Sequence, residues 1–168
     1  LQNLVTNNFN YDCLINIYVF TDFNIANRMK SLHQPGTRNV RGVFDTDTSG
    51  GVFREMKGFG PFAWNPPADV VIDAIEPGIL HHKYMIIDPM NTSSNPVVET
   101  GSYNYSGAAN TTNDENILIV YSPRVANLYV QEWYKRYKIS GGTAVIGIEQ
   151  ISTEIPNNFE LKQNYPNP

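Results

Sequence analysis

The stretch CLINIYVFTDFNIANRMKSLHQPGTRNVRGVF, residues 13–44, decides the fold class. Its opening segment, residues 13–20, is rich in β-branched and aromatic side chains, which predicts a strand. Asp22 or Asn24 can then cap a short helix, and residues 40–44 predict a second strand after a Pro-Gly break. A strand, a crossover helix and another strand favour parallel pairing, so we predict an α/β fold.

The rest of the chain extends this pattern. The first helix is expected to end at Leu32, and the apolar spacing of residues 123–137 predicts a terminal amphipathic helix. With the core ending near Ile139, we predict one domain over residues 1–140, followed by a linker segment in 141–168. The expected architecture is a mixed, largely parallel β-sheet flanked by helices. Four further strands are expected at residues 70–75, 83–87, 97–100 and 117–121.

Composition narrows the class of protein. The chain has 168 residues, 41% of them hydrophobic, which suits one domain with a single core. It contains no apolar run of the roughly 20 residues that cross a bilayer. A formal charge of −4 argues against coating nucleic acid by bulk electrostatics. Cys13 is the sole cysteine, so an intrachain disulfide is excluded and a buried apolar role is expected.

The segment HHKYMIID, residues 81–88, carries the strongest chemical signal. In a strand, His81 and Lys83 project from one face and His82 from the other. That geometry disfavours a metal site shared by the two histidines, and neighbouring cysteines or carboxylates at ligand spacing are lacking. Alone, a His-x-Lys pair in a strand is usually a pair of exposed surface side chains without a catalytic role.

The residue types suit chemistry at phosphorus. A neutral imidazole is a competent nucleophile, and an ammonium binds the charge of the non-bridging oxygens, so His81 and Lys83 have distinct tasks. Ser102 and Asn104 follow a glycine at the end of the next predicted strand and can donate hydrogen bonds to phosphate oxygens. Glu115 is the candidate carboxylate that would orient the His81 ring.

Asp88 differs from these residues. It lies an odd number of residues from Lys83 and therefore faces away from the site or past the strand end. A structural role is the natural expectation.

Three linked motifs resemble the phospholipase D superfamily. They are His81-x-Lys83 with Asp88 five residues later, then Gly101-Ser102-Tyr103-Asn104, then Asp114-Glu115-Asn116 before an apolar strand. The resemblance covers roughly residues 15–137. It implies a metal-independent phosphodiesterase that needs no cofactor, in which the motif histidine forms a phosphohistidine and a second motif histidine protonates the leaving group.

Carried onto this chain, the resemblance makes His81 the nucleophile or the acid. Lys83 and Asn104 would bind phosphate with support from Ser102, Glu115 would orient His81, and Asp88 would be a structural member of the catalytic motif. The family uses two histidine motifs per active centre, whereas this sequence contains one. We therefore expect a homodimer with one composite site. The alternative is a first motif upstream, because the chain begins at Leu1 rather than Met and is expected to be part of a longer protein.

The end of the chain has a second resemblance. Residues 158–168, NFELKQNYPNP, are similar to the opening of the C-terminal sorting domain used in type IX secretion. This implies contact with the secretion machinery and a protein that is secreted or held at the cell surface. An ordinary proline-rich linker is the other interpretation.

The substrate is left open between nucleic acid and phospholipid, with a nuclease favoured and a non-catalytic surface-binding module as a third alternative. The aromatic loop, residues 57–67, could form the lip of a cleft or tuck into the core. Candidates for a cationic rim and for stacking on bases are Arg28, Lys30, Arg38, Arg41, Trp64, Tyr103 and Tyr105. Candidates for dipping into a membrane interface are Phe59, Phe62 and Trp64.

Overall fold

The computed structural model describes residues 1–47, 51–74, 78–91 and 93–146. Within these ranges the chain forms six strands and five helices. In order they are α1 (Gln2–Asn8), β1 (Asp12–Ile17), α2 (Phe23–Leu32), β2 (Asn39–Phe44), α3 (Val52–Met56), β3 (Asp69–Ile72), β4 (Lys83–Ile87), β5 (Val97–Gly101), α4 (Gly107–Thr111), β6 (Ile117–Tyr121) and α5 (Pro123–Ile139).

The strands form one sheet in the order β3-β2-β1-β4-β5-β6. The mixed α/β class with flanking helices is confirmed. The pairing is less parallel than predicted, because β1 with β2 and β2 with β3 are parallel while the other three described pairs are antiparallel. The reason is connectivity. The chain between β4 and β5 is short and lacks the crossover helix that parallel neighbours require.

Two hydrophobic clusters lie on the two faces of the sheet. Alternate residues of each strand point to opposite faces, so Cys13 and Ile15 join the cluster under α1, α2 and α3, while Leu14 joins the cluster under α5. Trp133 of α5 also donates its indole N–H to the carbonyl of Ile15 at 2.9 Å. The predicted burial of Cys13 is confirmed.

Helix caps explain where the two long helices begin. Asp22 accepts backbone N–H bonds at the start of α2, and Ser122 does the same at the start of α5. Of the two predicted caps for α2, the structure uses Asp22. The three helices that the sequence did not predict, α1, α3 and α4, have only five to seven residues and therefore weak periodic signals.

The chain packs beyond the predicted end of the core. Ile146 is buried in the cluster under α5, and Gly142 lies against the Tyr137 ring so closely that a Cβ there would meet ring atoms at 2.2 Å. Residues 147–168, which hold most of the predicted linker and all of the predicted sorting segment, lie outside the described residues. Among the helices of the described ranges, none combines the length and apolar character that a membrane-spanning helix needs.

Candidate active site

His81 and Lys83 meet at one end of β4. Lys83 is the first residue of the strand and pairs with Ile17 of β1, and His81 precedes it. Both side chains contact Tyr18: the His81 and Tyr18 ring centroids are 4.9 Å apart, and Lys83 Nζ lies 5.1 Å from the Tyr18 ring centroid. The tyrosine ring therefore packs against both residues on one side of the motif.

Lys83 is a buried cation without a close counter-ion. Its residue is 6% exposed, and its ammonium donates to the carbonyl of His81 at 3.0 Å. Among the described residues, no carboxylate oxygen lies within the 4.0 Å of an ion pair with it. Burial lowers the pKa of Lys83, and the charge of Glu115 opposes that shift. The ammonium is thus available to an anion.

His82 points to the other face, as the alternation predicts. Its ring packs against Tyr84 with centroids 5.6 Å apart, and its Nε2 lies 3.4 Å from Glu132 Oε1. His81, by contrast, is exposed to solvent. Neighbouring histidines therefore have different surroundings, and only His81 shares the Tyr18 side with Lys83.

Ser102 and Glu115 are held together beside this end of the sheet. The Ser102 hydroxyl donates to Glu115 and accepts from the Asn116 N–H at 3.0 Å. Gly101 permits the approach, because a Cβ at that position would lie 2.2 Å from the Asn116 carbonyl oxygen. The chain after β5 is thereby fastened to the start of β6.

The predicted contact between Glu115 and His81 is not formed. Instead the carboxylate of Glu115 accepts hydrogen bonds from Ser102 and from Asn113, the latter at 2.9 Å, and these bonds lower its pKa. No hydrogen bond joins it to the His81 ring among the described residues. The sequence pattern predicted that Glu115 lies near the motif. A sequence pattern does not show which of several neighbouring donors a carboxylate binds.

Asn104 has an unused polar group. Its side-chain Oδ1 is buried without a hydrogen-bond partner among the described residues. Orphaned polar atoms of this kind are uncommon in folded proteins and are explained by water, a ligand or strain. Because Oδ1 accepts hydrogen bonds, it is the amide NH₂ group of Asn104 that would donate to a phosphate oxygen.

Asp88 lies at the opposite end of β4, five residues and about 17 Å along the strand from Lys83. It is fully buried, and its carboxylate accepts the N–H groups of Asn10, Tyr11 and Asp12 at 2.8–3.1 Å. It adopts a positive φ of 52°, which aspartate tolerates better than most residues. Its contacts join two chain segments and do not reach His81.

An open cleft of about 360 Å³ reaches the motif from the α5 side. Its walls include His82, Tyr84, Leu128, Tyr129 and Glu132, with His81 and Lys83 at its edge. Apolar and polar groups alternate in this lining. Within the described ranges, no three His, Cys, Asp or Glu side chains are grouped as metal ligands would be.

The aromatic loop does not form the lip of this cleft. Trp64 is 2% exposed and packs on His33, which accepts the Val40 N–H near the start of β2. Val40 pairs with Cys13, whereas Lys83 pairs with Ile17, so the loop lies toward the other end of the sheet. Phe59 and Phe62 are exposed there, at 58% and 67%.

The predicted stacking and cationic residues are also placed elsewhere. Tyr105 is fully buried and Tyr103 nearly so, which removes both as stacking platforms. The four predicted rim cations contact protein groups: Arg28 binds Thr6, Lys30 binds the Phe62 carbonyl, Arg38 binds the Asn10 carbonyl, and Arg41 pairs with Asp12 at 2.5 Å. Arg38 and Arg41 belong to the Asp88 end of the sheet, so these four do not form a rim around His81.

The sequence interpretation missed two residues near the motif, Tyr18 and Glu132. Tyr18 lies near the motif because β1 pairs with β4. The sequence does not show which strands are neighbours in the sheet, so this contact could not be predicted from it. Glu132 comes from α5, nearly 50 residues after the motif, and its contact depends on how that helix crosses the sheet.

Comparison with known proteins identifies relatives. Residues 7–137 match the family described as "Cardiolipin synthase, PLD-like domain". A phospholipase D of Rickettsia typhi is 40% identical over 68 residues, covering 40% of this chain and 30% of that protein. The mitochondrial cardiolipin hydrolase of Homo sapiens is 28% identical over 117 residues, 70% of this chain and 42% of that protein. The chain thus matches less than half the length of these curated relatives.

Two solved structures share the fold. Nuc, a phospholipase D family member from Salmonella typhimurium, gives a TM-score of 0.66 at 23% identity, covering 86% of this chain and 88% of that one. NucT from Helicobacter pylori gives 0.64 at 21% identity, covering 79% and 82%. At these identities the likeness establishes the mixed α/β architecture.

Proposed function

This chain belongs to the family of phospholipase D-like domains, and from that premise we propose that it is a phosphodiester hydrolase acting through a phosphohistidine intermediate. The observation that carries the proposal is Lys83, a residue only 6% exposed whose ammonium has no ion-pair partner among the described residues and which lies beside the exposed His81. A buried charge of this kind is costly in a resting protein and is satisfied by a bound anion.

The proposed reaction has two steps. An imidazole nitrogen of His81 attacks phosphorus, the bond to one alcohol oxygen breaks, and that oxygen takes a proton from a second histidine. The second histidine, now neutral, takes a proton from water as the water oxygen attacks phosphorus; the phosphorus–nitrogen bond breaks, which releases the phosphomonoester and restores both histidines. Lys83 and the Asn104 amide hold the non-bridging oxygens as negative charge develops, and Ser102 supports them together with Glu115.

The second histidine is proposed to come from a second copy of the chain. Because the sequence contains one His-x-Lys motif, a twofold axis between two copies would supply the pair. Light scattering combined with an activity assay tests this, and a monomer with full activity would contradict it. A motif in an upstream segment of a longer protein is the alternative.

Nucleic acid is the favoured substrate. The cleft that reaches His81 and Lys83 is open, and its lining mixes apolar groups with Glu132 and His82. The one cleft described at the motif is open rather than a closed tunnel. An open site admits an extended polymer, whereas a lipid chain would need apolar cover.

Glycerophospholipid is the second candidate, because Phe59 and Phe62 expose two large apolar rings on one loop. Relatives named phospholipase D and cardiolipin hydrolase add weight to it. The loop, however, lies toward the end of the sheet remote from Lys83, so an attached membrane surface would lie away from the site. A substitution of Phe59 and Phe62 tests this, rather than one of Trp64, which is part of the core.

The deciding experiment measures cleavage of plasmid and single-stranded DNA in excess EDTA. We expect cleavage by the wild-type chain and by Lys135→Ala, an exposed control on α5, and a fall of about 10⁴-fold or more in His81→Ala. Cleavage retained by His81→Ala would overturn the phosphohistidine mechanism. Inactivity of all three proteins on DNA, with turnover of phospholipid vesicles, would replace the nuclease proposal by the lipid one. No turnover of either substrate would favour the third alternative, a non-catalytic surface-binding module.

Export is proposed from the C-terminal resemblance alone, since those residues lie outside the described ranges. Type IX secretion would place the enzyme outside the cell, where it meets extracellular polymers. Cell fractionation with and without residues 158–168 in the full-length protein tests this. Equal export of both forms would contradict it.

A further inference from the structure

Glu132 on α5 is the centre of a polar cluster behind the motif. Its carboxylate accepts from the Tyr84 hydroxyl and from Asn16 Nδ2 at 3.2 Å. His82 Nε2 lies 3.4 Å from it and Arg136 Nε 3.6 Å. These residues, called here the Glu132 cluster, come from β1, β4, α5 and the segment before β4. The cluster therefore fastens the helix to the sheet at the end where His81 lies.

Glu132 is the ionised carboxylate of the cluster, and buried side chains contact it. Asn16 and Tyr84 are buried, and Asn16 Nδ2 also donates to the Tyr84 hydroxyl at 2.7 Å. Burial opposes ionisation of Glu132, but the nearby His82 ring, the Tyr84 hydroxyl and the charge of Arg136 outweigh it and lower its pKa to about 2. Near neutral pH, the Glu132 carboxylate is therefore negatively charged where it contacts His82.

His81 depends on this anchoring. Its ring makes no hydrogen bond among the described residues and packs against the Tyr18 ring. Its backbone is held on one side by the Lys83 ammonium, and the adjacent His82 carbonyl accepts the Tyr18 N–H at 2.8 Å. Leu80, on the other side of His81, is buried and donates its N–H to Asp45 at 2.6 Å. The His82 side chain is the second neighbouring contact, with its Nε2 3.4 Å from Glu132. Of these two neighbours, His82 is the one whose side chain contacts an ionised group, Glu132.

We propose that Glu132 is a positioning residue for His81, acting through His82 and supported by Tyr84. The proposal rests on the phosphodiesterase function proposed above. The His82 and Glu132 side chains are each 41% exposed, and an ion pair of that exposure contributes little to stability, so a purely structural role gives little reason for it. The cluster instead places a charge directly behind the motif, where small displacements of a nucleophile are costly.

A competing role is direct contact with substrate, because Glu132 and His82 also line the cleft. The two roles separate kinetically. A substrate contact affects KM, whereas loss of positioning lowers kcat with KM unchanged.

The test compares Glu132→Gln and Tyr84→Phe with Tyr137→Phe, using bis(p-nitrophenyl) phosphate as substrate. Tyr137 is a matched control, since its hydroxyl donates to Asp69 across the same helix–sheet interface but away from the motif. We expect kcat to fall about 10- to 100-fold in Glu132→Gln and less in Tyr84→Phe, with KM within about twofold of wild type. Tyr137→Phe is expected to keep wild-type kcat. Thermal melts of all variants confirm that each is folded at the assay temperature.

A rise in KM at constant kcat would overturn the proposal in favour of substrate contact, and unchanged kcat and KM would overturn it outright. A second readout does not need turnover. The ¹H–¹³C NMR signal of the His81 ring, assigned with His81→Ala, is expected to shift in Tyr84→Phe and to stay in place in Tyr137→Phe. An unmoved signal in Tyr84→Phe would contradict the proposal. Absence of turnover in wild type would instead contradict the proposed function.

Discussion

The charged residues at the two ends of β4 have opposite hydrogen-bonding environments. At one end, Asp88 is fully buried and its carboxylate accepts backbone N–H groups from Asn10, Tyr11 and Asp12. At the other end, the Lys83 ammonium is nearly as buried, yet it binds one carbonyl and no carboxylate within the described residues. The Asp88 end satisfies its charge within the fold, and the Lys83 end leaves its charge for a partner outside it.

This difference separates structural from functional members of one motif. A satisfied buried charge joins chain segments and contributes to folding, while an unsatisfied one costs stability that only binding recovers. His81 fits the second group, because its ring is exposed and held by packing rather than by hydrogen bonds. The two ends should therefore respond oppositely to substitution.

The largest effect is expected at the Lys83 end. Lys83→Met keeps the aliphatic stem but removes the ammonium, and we expect kcat to fall about 100- to 1000-fold as phosphate loses its cation. Thermal stability should stay the same or rise, because a buried charge is removed. Steady-state kinetics and a melting curve on the same preparation measure both. A clear loss of stability would mean that Lys83 is structural, like Asp88.

The opposite outcome is expected at the Asp88 end. Asp88→Ala leaves the N–H groups of Asn10, Tyr11 and Asp12 without the carboxylate that accepts them, so we expect the free energy of unfolding to fall by about 2–4 kcal/mol. Turnover per folded molecule should change little. Urea unfolding followed by circular dichroism gives the stability, and active-site titration normalises the rate. A specific loss of kcat in folded protein would place Asp88 in the catalytic machinery.

Glu99 is a further buried carboxylate, intermediate between Asp88 and Lys83 because it is only partly hydrogen-bonded. Its Oε2 accepts from the Tyr105 hydroxyl at 2.5 Å, while its Oε1 has no partner among the described residues. Burial raises its pKa to about 7 from 4.5, against the opposing effect of that hydrogen bond. The folded state therefore binds the Glu99 proton more tightly than the unfolded state does. The stability of the wild-type protein consequently falls as the pH rises from 4.5 to about 7.

Glu99→Gln should consequently stabilise the protein above pH ~7 by roughly 1–3 kcal/mol, and the gain should vanish below pH ~4.5. Tyr105 keeps an acceptor in this variant. Melting temperatures of both proteins across this pH range measure the effect. A gain that is independent of pH would show that ionisation of Glu99 is not its source.

The smallest effect is expected in the pH profile of activity. Burial lowers the pKa of Lys83 from 10.5, so an activity that needs the ammonium should be lost at a lower pH than an ordinary lysine would give. The charge of Glu115 opposes this shift, and Glu115→Gln should move the alkaline limit to still lower pH. Lys83→Arg serves as the control, because its residual activity should lack that limit. An unmoved limit in Glu115→Gln would exclude electrostatic coupling of the two residues.

The sequence predicted the elements far better than their contacts. Hydrophobic periodicity located the six described strands to within a few residues and also located α5, and capping chemistry located α2, because these signals are local. The opposite orientations of His81 and His82 and the separate placement of Asp88 also followed from alternation. Helices of five to seven residues were missed, since they contain too few turns for a periodic pattern.

Predictions that depended on packing fared differently. Trp64 and Tyr105 were candidates for substrate contact, but they are core residues, because composition does not tell which aromatics of a loop find room inside. Glu115 was assigned to His81 and binds Ser102 instead. The degree of parallel pairing was overestimated because strand order is a property of the whole sheet.

By itself, the sequence determined the α/β class, the position of the motif at a strand end and the chemical identity of its groups. These follow from side-chain period, turn residues and functional groups, which act over a few residues. Only the tertiary structure decided that Lys83 is buried without a carboxylate partner, that Tyr18 packs against both motif residues and that Glu132 stands behind His82. Burial and long-range contacts arise when distant segments pack together, and no local pattern records which of them meet.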